Sequence, residues 1–236
     1  MLSLYVRPGV SCQTKEYLSD RLLETKKQET GDKRASLIGE RALVGIIRPP
    51  PSLERGWGNR NADGEDTHGK RTMDADVRVG MGYDLHRLVR GRALVLAGVR
   101  IEYEFGLAGH SDADVVLHAV TDALLGAAGL PDIGEMFPDT DPRYKDADSR
   151  VLLAAALDAV EAKGFAVGNV DVIVHAERPK LSAHKRAMRE SIAGVLGVAV
   201  EDVNVKAKTN EGVDAVGRGE AIACTAVACV RRRSGG

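Results

Sequence analysis

Apolar and polar residues form regular patterns only after about residue 76. Apolar runs rich in β-branched residues predict strands over residues 77–83, 93–97, 99–103, 169–175, 203–208 and 220–230. Apolar residues recur at helical spacing over residues 112–128, about 149–163 and 183–196. Strands that alternate with helices indicate an α/β layer fold.

The ends of these predicted helices carry recognisable capping residues. Ser111 is predicted to cap the first helix, and Asp114 completes a capping-box pattern with it. Asp148 or Ser149 begins the second helix, which Gly164 closes. Gly197 ends the third.

Residues 1–76 lack this order. A proline run at positions 49–51 precedes a polar stretch, residues 52–76, which has no sustained apolar periodicity and predicts a flexible linker. A short helix is suggested over residues 14–28. We therefore expect an N-terminal extension over residues 1–76, largely disordered or loosely docked, then one domain over residues 77–231 and a tail over 232–236.

The start of the chain fits neither common targeting signal. The apolar stretch at residues 1–6 is too short for a secretory signal, and Arg7-Pro8 interrupts it. Residues 1–75 hold 13 Lys/Arg and 11 Asp/Glu, too many acids for a transit peptide. We expect a cytoplasmic protein, with the extension either a lineage-specific tail or sequence upstream of a misplaced start codon.

Composition narrows the possible partners. The formal net charge of -1 gives no electrostatic reason to expect nucleic-acid or membrane binding, so local groups must hold any anionic ligand. No apolar run approaches the roughly 20 residues that span a bilayer. The three cysteines, Cys12, Cys224 and Cys229, form no CxxC pair, which favours buried thiols in a reducing compartment.

Three residues form a candidate metal site. Asp84 and His86 end the first strand and, two positions apart, project to one face of it. His118 lies in an otherwise apolar helix, with Asp114 and Asp122 one turn away on either side, where a carboxylate could fix the tautomer of a ligating imidazole. Three N/O ligands with an open position are typical of catalytic zinc. On spacing alone, a core histidine remains an equal alternative for His118.

Two polar clusters suit phosphate. His110 and Ser111 precede the first helix, whose free N–H groups and dipole favour an anion, although Ser111 could simply be a cap. Lys206, Lys208, Thr209 and Glu211 follow a strand and suit a diphosphate with magnesium or manganese. A solvated strand end explains this second cluster equally well.

Taken in order, the motifs resemble the 2-C-methyl-D-erythritol 2,4-cyclodiphosphate synthase family. The resemblance spans about residues 77–231 without apparent gaps. It rests on these blocks: RVGMGYDLH at 78–86, AGHSDAD at 108–114, LHA at 117–119, TDALLGAA at 121–128, DIG at 132–134, FPDTDP at 137–142, GNVDV at 168–172, DVNVKA at 202–207 and GRGE at 217–220.

The resemblance implies a two-layer α/β subunit, with a mixed sheet packed against helices, and a reaction. A phosphorus–oxygen lyase of this kind would convert 4-diphosphocytidyl-2-C-methyl-D-erythritol 2-phosphate to the cyclic diphosphate and CMP, for non-mevalonate isoprenoid synthesis. The substrate's own phosphate would attack, which explains why the sequence shows no convincing nucleophilic triad.

It also implies residue roles. Asp84, His86 and His118 match zinc ligands, and Glu211 matches the residue that holds magnesium or manganese with the substrate phosphates. The matched catalytic set comprises these four and Thr209. The matched substrate contacts are His110 and Ser111 for the 2-phosphate, Asp132 and Gly134 for the erythritol hydroxyls, Asp139 in a loop over the pocket, Ala176, Pro179 and Lys180 for cytidine, Lys208 and Thr209 near the diphosphate, and Arg218.

Members of the resembled family are homotrimers with active sites at subunit interfaces. They usually carry an aromatic residue at the position of Ala215, beside a cavity on the trimer axis that can hold isoprenoid diphosphates. Asp214 and Ala215 weaken that assignment here, and Arg218 could instead pair with Glu220. Two other functions stay open: a zinc phosphohydrolase that uses a metal-bound hydroxide, and a non-catalytic metal-binding scaffold.

Overall fold

A computed structural model describes residues 77–233 of the chain. The predictions for residues 1–76, including the linker and the helix over residues 14–28, lie outside the described residues, as do residues 234–236 of the tail. None of the helices within the described range is long and apolar enough to cross a membrane.

The described residues form seven strands, five α-helices and two short 3₁₀ turns. In chain order they are β1 (Val77–Arg90), β2 (Leu94–Leu96), β3 (Val99–Ile101), β4 (Phe105–Leu107), α1 (Val115–Ala128), α2 (Ile133–Met136), a turn at Pro142–Tyr144, α3 (Ser149–Ala162), β5 (Phe165–His175), α4 (Lys185–Leu196), a turn at Val200–Asp202, β6 (Val203–Lys208), α5 (Asp214–Gly217) and β7 (Ala221–Arg232). Every predicted strand and helix in this range is confirmed in type. The sequence missed β4, α2 and α5, each of four residues or fewer.

Five strands form one mixed sheet in the order β4-β1-β7-β5-β6, while β2 and β3 form a separate hairpin. Strands β5 and β6 are parallel, and all other neighbours in the sheet are antiparallel. Helix α1 packs on β1 and β7, α4 packs on β6, and α3 packs against α1. The expected α/β fold, a mixed sheet against helices, is therefore confirmed.

Two glycines let α1 lie directly on β1. A Cβ atom on Gly80 would stand 2.1 Å from the carbonyl oxygen of Ala123, and one on Gly82 would stand 2.0 Å from that of Ala119. No other residue tolerates such an approach of backbone to backbone. Because Ala119 follows His118, this packing carries His118 to the strand that bears Asp84.

Apolar side chains project from β1 on the opposite side of the sheet. Val79, Met81, Tyr83 and Leu85 are 45–70% exposed and alternate with the buried glycines. Val227, which pairs with Met81 from β7, is 38% exposed. We call these five residues the open sheet face. A contiguous exposed apolar row of this kind is typical of an interaction surface.

The prediction that Ser111 caps the first helix is wrong. The helix begins at Val115, and its N-cap is Asp114, whose carboxylate accepts hydrogen bonds from the N–H groups of Val116 and Leu117. The same carboxylate accepts the N–H of Ala97, so Asp114 also ties the helix to the β2–β3 turn. Because this buried carboxylate occupies the N–H groups of Val116 and Leu117, they are not free to bind an anion beside His110 and Ser111 as predicted.

Candidate metal centre and phosphate pocket

Asp84, His86 and His118 lie close together at the junction of β1 and α1. Oδ2 of Asp84 is 3.0 Å from Nε2 of His86 and 2.9 Å from Nδ1 of His118. The two nitrogens are 3.2 Å apart. Leu85 projects to the open sheet face, as the alternation of side chains along a strand requires.

The other ring nitrogen of each histidine is held by the protein. Nδ1 of His86 lies 2.7 Å from the carbonyl oxygen of Ala108, to which it can only donate. Nε2 of His118 lies 2.9 Å from Oγ of Ser149 and 3.1 Å from Oγ of Ser111. When those nitrogens carry the only proton of each ring, as metal binding requires, Nε2 of His86 and Nδ1 of His118 both direct lone pairs toward the carboxylate of Asp84.

Three lone-pair atoms about 3 Å apart repel one another unless a cation lies among them. A tetrahedral zinc site with bonds of about 2.0–2.1 Å would place its ligand atoms roughly 3.3 Å apart, close to the distances seen here. The donor set and its geometry therefore fit a zinc ion. Three protein ligands are typical of catalytic zinc sites, whereas structural sites have four.

Electrostatics favour an ionised Asp84. Burial alone would raise the pKa of this carboxyl group, but the hydrogen bonds with His118 and His86 outweigh burial and hold it well below its usual range. Burial would lower the pKa of His86, yet its hydrogen bond with Asp84 raises it above the ordinary 6.5. In the zinc-free protein, the raised pKa of His86 favours a proton between His86 and Asp84, and a metal cation would take the place of that proton.

The predicted carboxylate partners of His118 are wrong. Asp114 uses its carboxylate as the helix cap, and Asp122 accepts the N–H of Ile133 at 2.8 Å. The groups that hydrogen-bond Nε2 of His118 are instead the hydroxyls of Ser111 and Ser149. Ser149 was missed as a site residue because it lies 31 positions from His118 in sequence. No local pattern links them.

A cavity of about 550 Å³ opens beside the three ligands. It is lined by Asp84, His86, Gly109, His110, Ser111, His118, Asp122, Ile133, Gly134, Phe137, Asp139, Tyr144 and Leu152. The predicted substrate residues His110, Ser111, Gly134 and Asp139 thus share one pocket with the candidate zinc ligands. Asp132 stands next to it as the N-cap of α2.

The remaining predicted site residues, apart from Arg218, form a second group at the ends of β5 and β6. Ala176 donates its N–H to the carbonyl oxygen of Lys208, and Thr209 donates its hydroxyl to Glu211 at 2.6 Å. Pro179 and Lys180 follow Ala176 in the same loop. Strand β6 lies three strand positions from β1, roughly 14 Å at the usual spacing. None of these residues lines the metal pocket.

Arg218 belongs to neither group. Its guanidinium forms a two-pronged ion pair with Glu220, with both N···O distances 3.0 Å, which confirms the suggested structural pairing. Asp214 and Ala215 line a cavity of about 360 Å³ that also touches Tyr83 and Leu85 of the open sheet face.

Comparison with known proteins settles the family. The model of the YgbB family matches residues 77–231, which is nearly the whole described part of the chain. The chain belongs to the YgbB family. A relative from Bordetella avium (strain 197N), 2-C-methyl-D-erythritol 2,4-cyclodiphosphate synthase, is 59% identical over 162 residues, covering 69% of this chain and 100% of the relative. The synthase of the same name from Desulfosudis oleivorans is 58% identical over 154 residues, or 65% of this chain and 92% of the relative.

Solved structures agree with this YgbB membership. The bifunctional IspDF from Campylobacter jejuni superposes with a TM-score of 0.65 at 44% identity, covering 67% of this chain and 43% of that protein. A CDP-bound form of 2C-methyl-D-erythritol-2,4-cyclodiphosphate synthase superposes with a TM-score of 0.61 at 38% identity, covering 65% of this chain and 99% of that protein. The resemblance inferred from the motifs is confirmed by these relatives.

Proposed function

We propose that this chain acts as a 2-C-methyl-D-erythritol 2,4-cyclodiphosphate synthase. Its reaction converts 4-diphosphocytidyl-2-C-methyl-D-erythritol 2-phosphate to the cyclic diphosphate and CMP. The observation that carries the proposal is the shared pocket, in which Asp84, His86 and His118 stand beside His110 and Ser111. Relatives that bear this activity as their name match over their full length.

The proposed chemistry is an intramolecular phosphoryl transfer, formally a phosphorus–oxygen lyase reaction. An oxygen of the 2-phosphate forms a bond to the β-phosphorus, and the bond from that phosphorus to the oxygen of the CMP phosphate breaks. CMP leaves with that oxygen, so no protein nucleophile is needed. The enzyme must fold the substrate back on itself, and well-oriented intramolecular reactions gain effective molarities of about 10⁵–10⁸ M.

In the metal pocket, each residue has a proposed task. His110 and Ser111 bind the 2-phosphate, while Asp132 and Gly134 hold the erythritol hydroxyls and Asp139 lies over the pocket. Asp84, His86 and His118 hold zinc. When bound, zinc supplies a Lewis acid that polarises a phosphate oxygen.

The second group has the complementary tasks. Ala176, Pro179 and Lys180 form the cytidine pocket, and Lys208 and Thr209 contact the diphosphate. Glu211 is a hard oxygen ligand that would hold magnesium or manganese, which would neutralise charge on the substrate diphosphate. The hydroxyl of Thr209 orients this carboxylate by donating to it at 2.6 Å. Two solved relatives are CDP complexes, which supports recognition of a cytidine diphosphate.

Because three strand positions, roughly 14 Å at the usual spacing, separate β1 from β6, we propose a homotrimer in which each active site joins two subunits. The open sheet face supplies the contact, since it exposes 45–70% of four large apolar side chains on β1. Burial of such a row against another copy is favourable at about 25 cal/mol per Å² of apolar surface. The expected mass is three times the 25.2 kDa of one chain.

The domain over residues 77–231 would carry the whole catalytic function, matching the extent of the family. The cytoplasmic location, the role of residues 1–76 and the identity of the second metal remain predictions. Arg218 is assigned to the substrate only in the resembled family, and its pairing with Glu220 here supports a structural role instead.

Product analysis tests the proposal. The full-length chain, with zinc, magnesium and the diphosphocytidyl substrate, should release CMP and cyclic diphosphate without orthophosphate. His118→Ala should abolish CMP release, whereas His184→Ala, at a helix end without a side-chain capping bond, should retain it. Orthophosphate release would favour the phosphohydrolase, and no turnover with bound zinc would favour the scaffold.

A further inference from the structure

Behind the metal pocket, a serine and an aspartate form a chain of hydrogen bonds that ends on a metal ligand. Ser149 is the first residue of α3 and is 1% exposed. Its Oγ lies 2.9 Å from Nε2 of His118 and donates to Oδ1 of Asp112 at 2.5 Å. Ser149 is not among the residues that line the pocket, so it can act on the reaction only through His118.

Asp112 is itself firmly held. Its carboxylate accepts the backbone N–H of Ser149 at 3.2 Å, in addition to the hydroxyl, and the N–H of Asp114 at 3.2 Å. The N–H of Asp112 donates to the carbonyl oxygen of Ala147 at 3.0 Å. These bonds fix the carboxylate between the start of α1 and the start of α3, so it presents a constant acceptor to the Ser149 hydroxyl.

The direction of the hydrogen bonds follows from the donors available. An ionised carboxylate can only accept hydrogen bonds, so the Ser149 hydroxyl donates its one proton to Asp112. Its oxygen must therefore accept from His118, which requires the proton of the imidazole to be on Nε2. That tautomer leaves a lone pair on Nδ1, the atom that lies 2.9 Å from Asp84 in the metal cluster.

We propose that Ser149 and Asp112 are positioning residues that fix the tautomer and ring orientation of His118 for metal binding. This proposal deepens the proposed function by naming what prepares one ligand of the same site. Oγ of Ser111 lies 3.1 Å from the same Nε2, but it also accepts the N–H of Ala113. Unlike the hydroxyl of Ser149, it has no hydrogen bond to a carboxylate among the described residues. Its hydroxyl proton thus remains available to the pocket.

Ser149 and Ser111 differ in their effect on His118 for a physical reason. A carboxylate behind the hydroxyl polarises it and strengthens the hydrogen bond from the imidazole, which raises the basicity of Nδ1. Loss of such a partner behind a metal ligand typically costs about 10–100-fold in metal affinity. Ser149→Ala should therefore weaken zinc binding by about that factor, although it removes no atom from the pocket.

The test measures zinc dissociation constants of the full-length protein by competition with a chromophoric chelator. Thr121→Val is the matched control, because Thr121 is a hydroxyl residue of α1, 1% exposed, that bonds only to the carbonyl of Leu117. This control should bind zinc like the native protein. Ser149→Thr, which keeps the hydroxyl, should restore most of the affinity lost in Ser149→Ala.

A second measurement reads the tautomer directly. In zinc-free protein with ¹⁵N-labelled histidine, nitrogen chemical shifts should show His118 with its proton on Nε2, and Ser149→Ala should shift the population toward Nδ1. If Ser149→Ala fails to fold, the Asp112→Asn variant tests the proposal in its place. Its zinc affinity should fall by a factor near the low end of the roughly 10–100-fold range. Zinc affinity unchanged within twofold in the folded variants would overturn the proposal. Because no turnover is measured, this result is independent of whether the protein forms the cyclic diphosphate.

Discussion

Replacement of Gly82 by alanine tests how the metal centre is assembled. The added Cβ would stand 2.0 Å from the carbonyl oxygen of Ala119 and 2.8 Å from the N–H nitrogen of Ala123, whereas ordinary contact begins at 3.4 Å. Backbone atoms flank the site, so no side chain can rotate away. Helix α1 must then lift from β1 by about 1 Å or more, and His118 moves with it.

The magnitude can be estimated from two effects. Overpacking of a core costs about 1–3 kcal/mol, and a clash against backbone belongs at or above the upper end of that range. Metal–ligand distances tolerate only about ±0.2 Å, so a shift near 1 Å in His118 would break one of the three bonds. Misplacement of this size can also lower turnover by about 100-fold.

The assay is urea unfolding at one fixed protein concentration, paired with chelator competition for zinc. Gly126→Ala is the matched control on the same helix, since a Cβ there meets nothing within 4 Å. Removal of a glycine from a helix interior should stabilise the control by about 0.5–1 kcal/mol. A Gly82→Ala protein with native stability and native zinc affinity would show that α1 is not seated on this glycine.

Three further predictions concern assembly, cysteine reactivity and pH. Met81→Asp puts a charge in the open sheet face, where Met81 is 70% exposed, and should reduce the proposed trimer to smaller species in sedimentation equilibrium; a trimer that survives the substitution argues against this interface. Burial raises the pKa of the Cys224 thiol, so this cysteine should resist thiol reagents until the protein unfolds, as peptide mass spectrometry would show, and rapid labelling of native protein would contradict its burial. The hydrogen bond of His86 with Asp84 raises the pKa of His86 above 6.5; this stabilises the zinc-free protein below pH 6.5 and is lost as pH rises through the raised pKa. Zinc must displace that proton, so zinc affinity measured by calorimetry should rise by up to about tenfold per pH unit below the raised pKa and level off above it, and a flat profile would exclude this proton competition.

Local sequence determined the elements and part of the site. Alternation along β1 was enough to predict that Asp84 and His86 share one face while Leu85 takes the other, because the side-chain period of a strand is two. Helical spacing identified α1 and placed His118 within it. The order of the motifs was enough to infer the family, since each block keeps its own spacing regardless of how the chain folds in space.

Contacts between distant segments were decided only by the tertiary structure. Asp114 and Asp122 lie one turn from His118 in sequence, yet the backbone N–H groups of the β2–β3 turn, of Leu117 and of Ile133 bind them more directly. His118 receives Ser149 instead, because α3 packs on α1 and brings its first turn to the imidazole. Helical periodicity tells which residues share a face, but the partner of that face depends on packing, which no local spacing encodes.

For the same reason, the sequence could not show that the candidate site residues form two separate groups. Asp84 lies within β1, beyond the predicted end of that strand at residue 83, and Glu211 follows β6. Nothing in their spacing shows that β7 and β5 lie between those two strands. Sheet order is set by the long connections through α1, α3 and α4. Sequence alone therefore predicted which residues could bind metal and phosphate, while the topology decided that the chain holds them in two separate groups.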